Sequence, residues 1–272
     1  MAGILRAGMF SPNNVGADAA ILNSVAAKLR RRGITVNLYS EEQFIAHGIG
    51  GEQIVMTMTR DERSTSRLHE LEDLGRIVIN SGYGISHCAR GNMVKIFARE
   101  GIPQPDTLVV STNENIKGRL EELGIERCWV KRADCQTVHK EDVACARHAQ
   151  EAQDLLGEFF IRGIRTATVA RDISGLHAKF YGVVGTDFFH CYLSRADGLQ
   201  TIDEDSLRSV CTKAAKALGV AIYGGDVMID PISGSFSIIS FNDWPGFAPC
   251  REDAAKGICK LVSSYARKLM KR

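Results

Sequence analysis

The chain has 272 residues, 44% hydrophobic and 24% charged, a balance that excludes a disordered chain and admits a substantial core in one large domain or two to three smaller lobes. Its 34 basic and 32 acidic side chains leave a formal charge of +2, too balanced for a protein that holds nucleic acid mainly by neutralising phosphates. No run approaches the roughly 18 apolar residues of a membrane span, and the start MAGILRAGMFSPNN lacks the pattern of a secretory signal, so a cytoplasmic protein with no nucleic-acid or membrane partner is expected.

In chain order, the first third alternates short apolar runs at 4–10, 34–39, 54–58 and 76–80 with helical patterns at 17–32 and 62–74. Such alternation predicts a parallel α/β lobe. The helix at 17–32 places Ala20, Ile21, Val25, Ala26 and Leu29 on one face and stops at Gly33. SGYGISH follows as a glycine-bearing turn, then a helix over 88–100 that GIPQP breaks, because proline cannot continue it. A strand at 107–110, a helix at 115–123, the strand CWVKR and a helix at 147–162 come next. From Thr166 the pattern turns to strands, TATVARDI, AKFYGVV and DFFHCYL, separated by polar or glycine-bearing turns, which predicts antiparallel pairing. A helix at 203–218, two strands at 221–229 and 235–241, and a helix at 252–269 complete the chain. The eight cysteines form no CxxC pair and no zinc-ligand spacing, so reduced thiols are expected, and no Cys or Ser sits in a motif that would make it a nucleophile.

The last strand pair carries the most chemistry. Asp226 lies on the first strand and Asn242 just past the end of the second, joined through the turn PISG. A hairpin of that length can set two oxygen-bearing side chains together for a hard metal ion, with Asp243 as a further carboxylate at the tip, or can be an ordinary polar turn. Trp244, Pro245 and Gly246 make a sharp exit from the strand.

This segment, GGDVMIDPISGSFSIISFNDWPGF, resembles the ATP-grasp superfamily, in which the penultimate strand carries an aspartate and the last reads acid, apolar, asparagine, then a Pro-Gly turn. Asp226, Asn242, Pro245 and Gly246 match in order, and FNDWPGF looks like a bacterial subfamily of small, stand-alone members. The resemblance covers most of residues 80–270 and, more weakly, the first lobe. It implies an α/β ATP-grasp fold with an N-terminal parallel lobe over 1–86, a central lobe over 87–172 and a C-terminal antiparallel lobe over 173–272. It further implies ATP and Mg2+ as cofactors. Lys95 and Lys131 match the nucleotide-contacting lysines, RADCQTVHKEDV the hairpin over the phosphates, and Arg171, Asp172 and Ile173 the hinge that clasps adenine through its backbone. The hairpin is poorer in glycine than is usual, and His139 and Lys140 either substitute as side-chain donors or are simply exposed. Lys179 is aimed at phosphate or substrate, Asp226, Asn242 and Asp243 would hold the metal, and Arg90 or Arg251 would orient a carboxylate substrate.

The sequence also departs from the family. Ser240 stands where an acid normally bridges the metal ions, and a hydroxyl has neither that charge nor a second oxygen. Ala170, Arg171 and Leu176 replace the Gln and acidic residues of the hinge. The resemblance implies a ligase joining a small-molecule carboxylate to an amine or thiol through an acyl phosphate. The departures favour a nucleotide-binding protein that has lost turnover, and a small-molecule kinase is a third reading. Oligomeric state, a homodimer included, is left open.

Overall fold

The computed structural model describes residues 2–5, 15–59, 61–134, 140–194 and 203–270. The first part is a four-stranded parallel sheet of order β2-β1-β3-β4, built from β1 (Ala2–Leu5), β2 (Val36–Tyr39), β3 (Ile54–Thr57) and β4 (Ile77–Ile79). Helices α1 (Val15–Arg30), α2 (Glu41–His47) and α3 (Glu62–Asp73) make the crossovers. Helix α1 turns Ile21, Leu22, Val25 and Leu29 inward, all at most 1% exposed, as their three- and four-residue spacing dictates. The strand expected at 4–10 is described as far as Leu5; the rest lies outside the described residues.

Two helices correct the sequence reading. Helix α2 falls where no element was expected, and it starts with a reciprocal cap: the Ser40 hydroxyl accepts from the Gln43 N–H while the Gln43 side chain accepts from the Ser40 N–H. The glycine-bearing SGYGISH is not a turn but helix α4 (Gly82–His87), whose start Ser81 caps by accepting from the Gly84 N–H. A Cβ on Gly84 would stand 2.5 Å from the carbonyl oxygen of Gly219. Glycine is needed there for close packing rather than for a bend.

A second sheet, of order β5-β8-β6-β7, is antiparallel throughout. It comprises β5 (Thr107–Ser111), β6 (Cys128–Arg132), β7 (Val143–Ala146) and β8 (Thr166–Arg171) and buries Val130, Ala167 and Val169 against α6 (Lys117–Glu122) and α7 (Ala149–Ile161). The third sheet, β10-β9-β11-β12, is also antiparallel, made of β9 (Leu176–Val183), β10 (Phe189–Leu193), β11 (Ile222–Ile229) and β12 (Phe236–Asp243). Its core is Phe180, Tyr223, Val227 and Phe241, under α8 (Glu204–Leu218) and α5 (Arg90–Glu100). The three strands read after residue 166 therefore divide: β8 joins the second sheet, and β9 and β10 the third.

Helix α9 (Arg251–Leu269) closes back on the first sheet. Ala254, Ile258 and Val262 share one core with Ile21, Val25, Met56 and Ile79, and Lys28 pairs with Glu252 at 2.8 Å. Asn80, 1% exposed, ties the end of β4 to the start of β11: its amide donates to the Ile222 carbonyl, and its oxygen accepts from the Ala221 and Ile222 N–H groups. The seven described cysteines are free thiols. No helix among the described residues is long and apolar enough to cross a membrane.

Candidate functional site

The second and third sheets face each other across a cleft of about 360 Å³, within the size range of small-molecule sites. Trp129, Thr168 and Ala170 form one wall, Met228, Ile238 and Ile239 the other, and Met93 and Val94 of α5 close the top. At one end the chain passes from β8 to β9 through Arg171, Asp172 and Ile173, which line the cleft. The Arg171 guanidinium is spent on structure, donating to the Asp106 carboxylate and to the carbonyls of Leu123 and Gly124 past the end of α6. The Asp172 carboxylate accepts from the Trp129 indole at 2.8 Å and pairs with Arg127 at 2.7 Å. Both N–H groups are also engaged, Arg171 with the Asp106 carbonyl and Asp172 with the Arg127 carbonyl. The backbone groups of Ile173 have no partner among the described residues. They are the hinge's available donor and acceptor.

The inner end is cationic. Lys131, on β6, lines the cleft with its ammonium 5.9 Å from the Trp129 ring. Burial, and then the charge of Arg90, push its pKa down to about 8, against an opposing pull from Asp226. Arg90, the first residue of α5, also lines the cleft and donates to the Arg132 carbonyl at 2.8 Å. On the facing sheet, outside the lining itself, Lys179 stands directly opposite Asp226 in the β9–β11 register. Asp226 Oδ1 accepts from Lys179 Nζ at 2.8 Å and from His177 Nε2 at 2.9 Å. The other ring nitrogen of His177 bonds the Ser194 hydroxyl, so the imidazole is fixed at both ends. His177 went unnoticed in the sequence, although it lies two residues from Lys179 and so on the same strand face.

The donor set does not fit the pair of magnesium ions that the family resemblance implies. The β11–β12 register sets Ser240 opposite Asp226 and Asn242 opposite Gly224, so Asp226, Ser240 and Asn242 share one face. That row holds a single carboxylate, whose Oδ1 already accepts from a lysine and a histidine. Asp243 does not join it: it falls within β12, next to Asn242, so its side chain points to the opposite face, where it is 1% exposed. Among the described residues no group of three or more His, Cys, Asp or Glu could hold a metal ion. Asn242, expected beyond the strand, also lies inside β12. The Pro-Gly exit is close-packed: a Cβ on Gly224 would be 2.7 Å from the Pro245 ring, and Trp244 and Phe247 adopt φ of 54° and 52°, a region that L side chains seldom enter.

Of the other expected residues, Lys95 is exposed on α5, outside the cleft lining. Arg251 is the first residue of α9, and its Nε is buried without a hydrogen-bond partner. It too is outside the lining. Lys140 begins an exposed 3-10 turn whose Asp142 anchors the loop base by pairing with Arg162 and Arg132, while His139 lies outside the described residues.

No family model and no curated protein matches the sequence. Solved structures do match over nearly the whole chain. The D-alanine–D-alanine ligase from Bacillus anthracis, complexed with ATP, superposes with a TM-score of 0.71 at 15% identity, covering 99% of this chain and 98% of that one. A RimK domain ATP-grasp protein from Sphaerobacter thermophilus gives 0.71 at 16%, covering 95% and 98%. The ATP-grasp ligase PsnB, complexed with the precursor peptide PsnA2 and AMPPNP, gives 0.66 at 16%, covering 97% and 96%. With the parallel first sheet and two facing antiparallel sheets, this likeness establishes the architecture: the chain has the ATP-grasp fold.

Proposed function

We propose that this protein binds ATP in the cleft between its second and third sheets and uses it to join a carboxylate to an amine or thiol. The observation that carries the reading is the convergence on one cleft of an apolar slot, an unpartnered hinge backbone at Ile173 and two cationic side chains, Lys131 and Arg90. Residues 87–172 and 173–272 act as the two lobes that clasp the nucleotide, and residues 1–86 contribute to the acceptor side. Adenine lies in the slot between Ala170 and Met228 and is read by the Ile173 backbone. Lys131 and Lys179 hold phosphate oxygens through charge-assisted hydrogen bonds, and Arg90 orients the substrate carboxylate. A carboxylate oxygen bonds to the γ-phosphorus as its bond to the ADP oxygen breaks. The amine or thiol then attacks the acyl carbon and phosphate leaves, the nucleophile's proton passing to solvent. The chain's contribution is positioning and charge stabilisation, with no covalent enzyme intermediate.

The test is ADP release by purified protein across a panel of acids and amines. Peptide carboxylates belong in it, because PsnB, of like fold, is complexed with a precursor peptide. ADP formed only when both acid and amine are present supports the ligase. A second reading, a nucleotide-binding protein without turnover, is favoured by Ser240 opposite Asp226. It prevails if ATP binds, the panel yields no ADP, and Ser240→Asp gains turnover.

A further inference from the structure

The inner end of the cleft assigns Asp226 a different task from the one its motif implies. Its Oδ1 already accepts two hydrogen bonds, from Lys179 and His177, and His177 is locked in turn by Ser194. A metal ion on that oxygen would displace the lysine, and it would find a hydroxyl at Ser240 and an amide at Asn242 instead of further charge. Lys131 meanwhile lines the cleft beside Arg90, in a desolvated wall that makes its positive charge costly. Positive charge at this end is carried by the side chains of Lys131 and Arg90.

We infer that Asp226 is a positioning residue, which with His177 and Ser194 holds Lys179 over the cleft, and that Lys131 and Lys179 neutralise the polyphosphate so that nucleotide affinity does not depend on a divalent metal. This rests on the nucleotide reading above and adds to it which groups carry the phosphate charge. It also explains why Ser240 is tolerated: with no bridging ion, no bridging acid is required.

The experiment is calorimetric titration of the intact protein with a non-hydrolysable ATP analogue, in excess magnesium and again in EDTA at matched ionic strength, with folding checked by thermal melting. The expected Kd values agree within about threefold, whereas a loss of about tenfold or more in EDTA overturns the inference. Lys179→Met should weaken binding by about tenfold in both buffers. Asp226→Asn keeps an oxygen for Lys179 and His177 and should bind as tightly as the parent or tighter, while Asp226→Ala, which frees Lys179, should bind more weakly. If Asp226→Asn instead loses affinity only when magnesium is present, Asp226 is a metal ligand and the inference fails. Ser240→Asp should introduce a magnesium dependence that the parent lacks. Absence of binding in both buffers, by folded protein, removes the nucleotide reading itself; binding in magnesium alone removes only this inference.

Discussion

The two ends of the cleft are built on opposite principles. At the hinge the charged side chains are matched: Arg171 has one carboxylate and two carbonyls, and Asp172 has an indole and Arg127. At the inner end Lys131 and Arg90 line the cleft, while Lys179, half-exposed outside the lining, pairs with Asp226. A satisfied end stabilises the fold and leaves recognition to backbone; a cation-rich end costs stability and is retained for what it binds. On the reading proposed above, the inner end is where the polyphosphate binds.

The sharpest way to break this contrast is Lys131→Met. It should weaken nucleotide binding by about a hundredfold, losing a charge-assisted bond in a desolvated site, and yet raise stability at neutral pH. The sign follows from the depressed pKa. The unfolded lysine titrates near 10.5 and the folded one near 8, so between those values the unfolded chain binds the extra proton. Wild-type stability relative to the variant therefore rises with pH across that window, and below it the buried charge costs about 3 kcal/mol. Urea unfolding at pH 7 and pH 10 reads both effects, and a variant less stable at pH 7 would refute the assignment of strain to this lysine.

The nucleotide affinity of the parent protein should fall as pH rises above about 8, by at most about tenfold per unit, because the free lysine must then take up a proton to bind. Calorimetry between pH 7 and 9.5 checks this. At the other end, Arg171→Ala should lower stability by about 1–2 kcal/mol, through three lost hydrogen bonds, and change nucleotide affinity by less than about threefold. If it abolished binding, the hinge end would be electrostatic after all. The smallest effect belongs to Lys95→Ala, within about 0.5 kcal/mol of the parent in stability and indistinguishable from it in nucleotide titration.

Much of the architecture was legible because the C-terminal hairpin carries its pattern in order, and because the spacing of apolar residues fixes one face of α1. The misreadings have local physical causes. Gly82 and Gly84 signal a turn to anyone reading composition, but Gly84 is there to let α4 approach the Gly219 backbone. The missing α2 was announced by its Ser-Glu-Glu-Gln start. Asp243 went to the wrong face because the strand was ended two residues too early, which put Asp243 at a free tip instead of at a strand position whose face alternation sets. Arg171 was read for its backbone, and its side chain's three partners sit 47 to 65 residues away, a long-range fact that no local pattern records. His177 was within reach, since strand alternation sets it on the face of Lys179, two residues earlier.

The packing of α9 sets an order of events. The core of the first sheet includes Ala254, Ile258 and Val262 from α9, so β1–β4 and α1 lack part of their interior until that helix has been made. During synthesis the second sheet, whose core cluster runs from Leu108 to Val169, can close first. The earliest strands wait for the latest helix, and removing residues 251–269 should leave a translated but unfinished N-terminal lobe with Ile21, Val25 and Met56 exposed to chaperones and proteases.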